Sequence, residues 1–304
     1  MLNFAFINLT HLKNKIKDYS QLAKLRLSST VVFSALVGYL LAVDQVDFKI
    51  LFMLLIGGFM VVASSNGFNQ VYEKETDKLM NRTKQRPIPA GRMQSSEGLL
   101  FSSILGLIGI LILYYINAKS AMFGAAALVL YAAVYTPLKT VSPIAVFVGA
   151  FPGAIPFMLG WVAATNQFGI ESGTLFAIQF LWQFPHFWAI AWMLDEDYKK
   201  AGIRMLPSGM KDEKTAFQAM LYTIWLIPVS IMPFVFPYIG IESKLILTPY
   251  GALSILLMGV YLYKKSALLL KNCDHSSAKK LMFGSLVYLP VIQIIYLIDK
   301  YVLQ

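Results

Sequence analysis

Residues 98–117 read GLLFSSILGLIGILILYYIN, an apolar run that carries no charged side chain. The hydrocarbon core of a bilayer is about 30 Å thick and accepts roughly 20 such residues as one helix. Further runs of similar length and character lie at 26–43, 50–68, 120–137, 142–163, 173–194, 215–238, 245–263 and 281–299. The sequence therefore predicts an all-α, polytopic membrane protein with nine transmembrane helices.

The overall composition separates the chain from a soluble protein with many buried helices. Of its 304 residues, 57% are hydrophobic and 14% are charged, and the mean hydropathy is +0.61. Soluble domains average about 45–50% apolar and about 25% charged residues. We expect residues 1–25 to form a cytoplasmic N-terminal segment, and residues 26–300 to form a single intramembrane domain.

The net charge of +10 is distributed unevenly along the chain. If the N-terminus is cytoplasmic, all Lys and Arg residues fall on the cytoplasmic side except Lys49, Lys119, Lys244 and Lys300. The positive-inside rule then predicts a cytoplasmic N-terminus and an external C-terminus. The excess is topological and suits anionic lipid rather than nucleic acid. Because the first residues resemble neither a secretory signal nor a transit peptide, we expect a bacterial cytoplasmic membrane.

Polar side chains gather in two long segments, 69–97 and 195–214, which follow the second and sixth apolar runs. The two segments share the pattern R-x-x-P-x-G, at 86–91 and 204–209. Such an echo is typical of membrane proteins built from internal repeats, although so short a match also arises by chance. Both segments lie on the predicted cytoplasmic side, so we expect a functional site there.

The first of these segments begins with an acidic stripe. Asn69, Glu73 and Asp77 are spaced i, i+4, i+8 and share one face of a helix that continues from the second run. A Mg²⁺ ion would compensate their like charges, because it binds carboxylates together with substrate phosphates. Arg82 and Arg86 follow and could bind a diphosphate through paired hydrogen bonds. A solvated helix end with internal ion pairs is the alternative interpretation.

The sixth run is polar where a membrane helix is usually apolar. Residues 182–188 read WQFPHFW, and Asp195 and Asp197 follow at the end of the run. Polar side chains at membrane depth are costly and are therefore functional candidates. If the helix continues past Pro185, His186 lies about three turns above Asp197 on the same face. Packing of the histidine and a surface ion pair at Asp195 are the alternatives, but two acidic motifs on one side could hold one polyanion between them.

These motifs resemble those of the UbiA-type superfamily of intramembrane prenyltransferases, which carry N-x-x-x-(D/E)-x-x-x-D after the second helix and an Asp-rich segment after the sixth. Within it, MNRTKQRP at 80–87, WQFPHF at 182–187 and DYKKAGIRMLP at 197–207 are similar to the signatures of the protoheme IX farnesyltransferase family. The resemblance covers roughly residues 19–300. It implies nine helices around a central cavity open towards the cytoplasmic face, with the prenyltransferase domain at 26–300.

The resemblance also implies a reaction and a set of residues. A Mg²⁺-dependent enzyme would transfer farnesyl from farnesyl diphosphate to a vinyl group of protoheme IX (heme B), with addition of water, giving heme O and diphosphate. His186 would bind the heme, either as a ligand of the iron or by positioning the acceptor. The residues implied for catalysis and Mg²⁺ are Asn69, Glu73, Asp77, Asp195 and Asp197, and those for the diphosphate are Arg82, Arg86 and Lys139.

The partners that follow are farnesyl diphosphate, heme B and the lipid bilayer, with a heme A synthase or terminal-oxidase assembly downstream. Two alternatives remain open. A UbiA-type enzyme could use another acceptor, such as 4-hydroxybenzoate, naphthoate or a chlorophyllide. A transporter could hold heme or an isoprenoid without chemistry, but it should spread its polar residues along a pathway rather than collect them at one face.

Overall fold

The computed structural model describes the backbone of residues 2–303, and side chains from residue 11 onwards. Met1, the side chains of residues 2–10 and Gln304 therefore lie outside the description. All regular structure in the described range is helical, which confirms the all-α prediction. The helices are α1 (Leu2–Leu22), α2 (Leu25–Ala42), α3 (Phe48–Tyr72), α4 (Lys74–Leu79), α5 (Ser95–Ile116), α6 (Ala118–Val129), α7 (Thr136–Leu138), α8 (Ala145–Thr165), α9 (Ile170–Met193), α10 (Asp195–Lys200), α11 (Glu213–Val235), α12 (Pro249–Asn272) and α13 (His275–Ile298).

Eight helical stretches within the described residues are long and apolar enough to cross a membrane. They comprise α2, α3, α5, α6 together with α7, α8, α11, α12 and α13, the fourth being joined by a π-helical turn at Leu130–Tyr135. The predicted sixth crossing, α9, is a continuous helix of 24 residues, but its apolar sequence is interrupted by Gln179, Gln183 and His186. Because α9 packs against α8, α11 and α13, protein rather than lipid receives much of its polar surface. The ninth crossing stays a prediction.

Two of the cations that fall outside the predicted cytoplasmic side, Lys300 and Lys119, contact the ends of other helices. The Lys300 ammonium lies 3.3 Å from a carboxylate oxygen of Asp44, and it also donates to the carbonyl oxygen of Val43. Lys119 donates to the carbonyl oxygen of Asn166. Lys119 and Lys300, two of the four cations that depart from the cytoplasmic bias, therefore bond to the ends of neighbouring helices on this side.

The two long polar segments meet at the opposite end. The side-chain nitrogen of Asn81, in the first segment, lies 3.5 Å from a carboxylate oxygen of Asp197, in the second. The backbone N–H of Arg204 in the second segment also donates to the carbonyl oxygen of Lys139 at 2.7 Å. Helix α1 packs across the same end, where Lys15 forms an ion pair of 2.7 Å with Glu97 at the start of α5. The segments singled out from the sequence therefore belong to one region of the fold.

The cavity is positioned by a close crossing of α2 and α8. A Cβ atom on Gly38 would overlap the carbonyl oxygen of Phe157, and one on Gly160 would overlap that of Ala35. Only glycine allows the two backbones to come this near, as at other membrane helix contacts with small residues. Helix α8 is the most deeply buried of the candidate spans, at 72%, and it forms a fixed wall for the site.

Candidate functional site at the polar end of the bundle

A cavity of about 560 Å³ lies inside the bundle. Most of its wall is apolar and comes mainly from α2, α3, α8, α9 and α13. The end of the cavity next to the two long polar segments carries charged side chains. Seven of the nine predicted site residues line it, namely Asn69, Glu73, Asp77, Arg82, Arg86, Lys139 and His186. An apolar chamber with one charged end can accept a molecule that has a long hydrocarbon part and an anionic head.

The acidic stripe lies at a break between two helices rather than on one continuous helix. Helix α3 ends at Tyr72 and α4 begins at Lys74, with Glu73 between them at φ −84° and ψ 11°. The hydrogen-bond ladder nevertheless crosses the break, because Glu73 N–H donates to Asn69 O and Asp77 N–H donates to Glu73 O, at 2.9 and 2.7 Å. The three side chains therefore keep the common face that their spacing predicts.

Both carboxylates of the stripe are buried and paired with cations. Glu73 accepts from the Lys139 ammonium at 2.6 Å, and Asp77 accepts from the Arg86 guanidinium at 2.6 Å. Asp77 is 0% exposed and Glu73 8% exposed. The pairs compensate charges that would otherwise be buried at a high cost. Two of the predicted diphosphate ligands thus neutralise two of the predicted metal ligands.

The oxygen atoms at this end suit a hard divalent cation. Asp77 Oδ1 is buried and accepts no hydrogen bond from a described residue. Burial raises the pKa of Asp77 above its ordinary value, although the Arg86 guanidinium acts in the opposite direction. No group of three His, Cys, Asp or Glu side chains among the described residues is already arranged around a metal position. Mg²⁺ commonly takes one or two carboxylates and completes its shell with substrate phosphates and water, so the residues fit an ion that binds with a diphosphate.

The second acidic motif also follows a helix break. Helix α9 ends at Met193, and Leu194 separates it from α10. The Asp195 carboxylate lies 2.8 Å from the Lys199 ammonium and 3.6 Å from that of Lys211. The i, i+4 pair that we considered from the sequence is therefore present. Asp195 is nevertheless buried, unlike a typical surface ion pair.

The two motifs approach each other through the turn after α4. Asn81 Nδ2, in that turn, lies 3.5 Å from Asp197 Oδ1, and the Lys200 ammonium lies 3.3 Å from the same oxygen. Tyr198 is the α10 residue that lines the cavity, whereas Asp195 and Asp197 stand outside its wall. The structure thus brings the motifs to the same end, with the second one at the margin of the cavity.

Two glutamines attach α9 to α8 below the charged end. Gln179 Nε2 donates to Gly153 O, and Gln183 Nε2 donates to Ala150 O, both at 2.9 Å. A Cβ atom on Gly153 would overlap the Gln183 side chain, so this glycine makes room for the contact. Buried polar groups require such partners. The glutamines therefore fix the position of α9 relative to the cavity wall.

His186 belongs to α9, and its side chain contacts α13. Helix α9 continues through Pro185, as the shared face of His186 and the second motif requires. His186 Nδ1 lies 2.9 Å from Ser285 Oγ. The Trp182 ring stacks on the imidazole with centroids 4.7 Å apart, and its Nε1–H donates to Ser285 O at 2.7 Å. The imidazole thus has a fixed position in the cavity wall.

Lys24 is a cavity residue that our sequence analysis did not single out. It connects α1 to α2 in the left-handed region, at φ 47° and ψ 57°, and its side chain lines the charged end. Burial lowers the pKa of Lys24 to about 7, and the charges of Arg86 and Lys139 act in the same direction. An anionic ligand beside Lys24 would raise its pKa and so favour the charged ammonium. In the sequence, Lys24 is one of several lysines before the first apolar run, so only its position next to that run could have indicated a role.

Sequence comparison finds a matching protein family and relatives that match over nearly their full length. Residues 31–287 match the UbiA prenyltransferase family. The protoheme IX farnesyltransferase of Flavobacterium psychrophilum is 52% identical, over 98% of this chain and 99% of its own length. The corresponding protein of Flavobacterium johnsoniae is 50% identical, over 97% and 98% respectively. These matches extend across the whole bundle.

Solved structures agree on the fold at low sequence identity. A digeranylgeranylglyceryl phosphate synthase superposes with a TM-score of 0.78 at 20% identity, covering 94% of this chain and 98% of its own. A UbiA homologue from Archaeoglobus fulgidus, solved with DMAPP and Mg²⁺, gives a TM-score of 0.65 at 15% identity, covering 89% and 99%. The arrangement of helices described above is therefore shared with these proteins.

The Asp77–Arg86 pair predicts a specific pattern of stability. Arg86→Met leaves a buried carboxylate without its partner, which costs about 3–5 kcal/mol, so we expect the apparent Tm in detergent to fall by several degrees. Adding Asp77→Asn should recover most of this loss because it removes the uncompensated charge. Thermal unfolding of the purified variants measures both effects.

Lys78→Met is the matched control for this experiment. It breaks the exposed Lys78–Glu75 pair of the same segment, and exposed pairs contribute little. A Tm of Arg86→Met equal to that of the parent chain would show that the Asp77 carboxylate does not depend on the pair.

Proposed function

Because the chain belongs to the UbiA prenyltransferase family, and shares about half of its residues with full-length protoheme IX farnesyltransferases, we propose that it transfers a farnesyl group to protoheme IX and so makes heme O. The observation that carries this proposal is the cavity, whose charged end and apolar remainder match a prenyl diphosphate. The histidine in its wall offers a contact to a second, metal-containing substrate.

The charged end would bind the diphosphate of farnesyl diphosphate. The cations that line it outnumber the carboxylates by two, as it holds Lys24, Arg82, Arg86 and Lys139 against Glu73 and Asp77. A diphosphate would satisfy this excess through charge-assisted hydrogen bonds, to which a guanidinium is well matched. Its arrival would also allow Arg86 and Lys139 to exchange the carboxylates for phosphate oxygens.

Mg²⁺ is the cofactor that these oxygen ligands fit. Asn69, Glu73 and Asp77 would hold it from one side of the diphosphate, and Asp195 and Asp197 would do so from the other. When bound, it supplies positive charge that stabilises the departing diphosphate. The unsatisfied Oδ1 of Asp77 supports this assignment, as does the contact between Asn81 and Asp197 at the margin of the cavity.

The farnesyl transfer can be written so that its atoms balance. The allylic C–O bond of farnesyl diphosphate breaks, and the freed carbon bonds to the outer carbon of a heme vinyl group. The oxygen of a water molecule bonds to the inner vinyl carbon, and one proton is released. The apolar wall would exclude other water from the reacting carbon. Tyr135 also lines the cavity, where an aromatic ring would favour an incipient carbocation.

The acceptor would be held lower in the cavity, where His186 lies. We propose that His186 binds heme B, by ligating the iron as histidine does in other heme proteins or by positioning the porphyrin. A metal-diphosphate site alone does not require the segment from Trp182 to His186, so this segment favours a heme acceptor over 4-hydroxybenzoate, naphthoate or a chlorophyllide. A heme A synthase or a terminal-oxidase assembly would receive the product.

Labelled farnesyl diphosphate provides the direct test of this function. Purified protein with heme B and Mg²⁺ should transfer the label to a heme that chromatographs as heme O. Glu73→Gln and Asp77→Asn should each lower the rate by about 100-fold or more, the size expected when one preorganised charge is lost. Glu75→Gln, an exposed carboxylate between these two positions, is the control and should retain activity. Label in an aromatic quinone precursor instead of heme would move the assignment to another acceptor.

We further propose that the charged end faces the cytoplasm of a bacterium, with the N-terminus inside and the C-terminus outside. Cys273 is the chain's one cysteine, and it is exposed between α12 and α13. In intact cells it should therefore resist a membrane-impermeant maleimide and become labelled only after permeabilisation.

Glu242→Cys in a Cys273→Ser background provides the matched position at the other end of α12. Glu242 is exposed and should be labelled in intact cells. The reverse pattern of labelling would contradict the proposed orientation and indicate that the charged end faces outwards.

A further inference from the structure

The hydrogen bonds of Ser285 indicate which nitrogen of His186 carries the proton. Ser285 Oγ lies 2.7 Å from Met282 O and 2.9 Å from His186 Nδ1. A carbonyl oxygen has no hydrogen, so the serine must use its single hydroxyl hydrogen to donate to Met282. Its oxygen is then an acceptor towards the histidine. His186 therefore donates from Nδ1–H, and in a neutral imidazole this leaves an unshared electron pair on Nε2.

The orientation of the ring is fixed by a second contact. Trp182 stacks on the imidazole with an angle of 16° between the planes, and its own N–H donates to the carbonyl oxygen of Ser285. Rotation of the imidazole by half a turn would exchange Nδ1 for a carbon atom and lose the bond to Ser285. His186 Nε2, on the opposite edge, makes no hydrogen bond to a described residue, and His186 lines the cavity.

We infer that Ser285 is a positioning residue which holds His186 as an Nε2 ligand for the iron of the heme acceptor. This inference rests on the proposed function and decides between its two roles for the histidine. An iron ion needs the electron pair of an unprotonated nitrogen, whereas a propionate would need an N–H donor. Metal-ligating histidines almost always donate their other N–H to a fixed partner. Ser285, fully buried on α13, is such a partner before any heme arrives.

The contact with Ser285 on α13 also fixes where α9 holds His186 in the cavity wall. His186 and Ser285 are 99 residues apart, so their bond fixes the register of α9 against α13 at the depth of the acceptor. The hydroxyl has two tasks, one towards its own helix and one towards the histidine. Removing it should change the histidine without disturbing the charged end of the cavity.

The tautomer can be observed directly, because the chain has three histidines. His11 and His275 are exposed, so His11→Gln with His275→Gln leaves His186 as the single histidine. In nitrogen-15 spectra of this protein without heme, we expect a protonated, pyrrole-type signal for Nδ1 and a pyridine-type signal for Nε2. A protonated Nε2 would overturn the inference.

Heme binding provides the second measurement. With heme B, the single-histidine protein should show the absorption and resonance Raman bands of a histidine-ligated iron, and His186→Ala should lose them. Ser285→Ala should raise the Kd for heme about tenfold, the low end of what loss of a ligand's partner usually costs, with unchanged affinity for farnesyl diphosphate. Ser285→Thr keeps the hydroxyl and should restore heme binding.

Ser266→Ala is the matched control, because Ser266 is also fully buried and bonds to the carbonyl oxygen three residues before it. An unchanged heme Kd in Ser285→Ala would contradict the positioning role. The farnesyl transfer assay separates the two proposals. Heme O formed by a protein with a protonated Nε2 refutes only the inference, whereas no labelled heme from the parent chain refutes the proposed function.

Discussion

Charge compensation at the membrane boundary is the constraint on which the site depends. Glu73 and Asp77 are buried, and each is neutralised by a cation, Glu73 by Lys139 across 66 residues and Asp77 by Arg86 in the loop that follows it. Removing either partner would leave an uncompensated charge, which is much more costly than replacing both. The pairs therefore bind the loops to the helix ends. In the proposed function, a diphosphate would replace the carboxylates as partner of these cations and so free the carboxylates for a metal ion.

The fold serves this charged end by breaking helices where it needs polar groups. Single residues, Glu73 and Leu194, interrupt the helices that lead to the two acidic motifs. At each break the ladder of main-chain hydrogen bonds continues into the short helix that carries the following carboxylates. Below them, Gln179 and Gln183 attach α9 to the deeply buried α8. The result is an apolar chamber with one charged end.

Much of the fold follows from local properties of the sequence, and the exceptions have physical causes. Long apolar runs predict most of the spanning helices because polar side chains are costly in the hydrocarbon core of the bilayer. Helix α9 is less apolar because its neighbours accept its polar groups, and this compensation is invisible in the run itself. The stripe of Asn69, Glu73 and Asp77 was predictable since backbone hydrogen bonds set its spacing. The break at Glu73 was not, and we had predicted a continuous helix there.

Long-range partners were the least predictable part of the site. The sequence gives no sign that Lys139 would meet Glu73 across 66 residues, or that Ser285 would meet His186 across 99. Lys24 was missed for the same reason, because only the packed bundle brings it close to Arg86 and Lys139. The resemblance to a known family assigned Lys139 to the diphosphate, but it could not indicate which carboxylate neutralises it.

The central claim is that both acidic motifs hold one metal-bound diphosphate. It is tested most directly by a structure of the protein with Mn²⁺ in place of Mg²⁺ and farnesyl thiodiphosphate, whose bridging sulfur resists cleavage. Anomalous scattering should place manganese between Asp77 and Asp197, with the diphosphate in contact with Arg86 and Lys139. Manganese or diphosphate bound elsewhere, with the Asp77–Arg86 and Glu73–Lys139 pairs intact, would contradict the account.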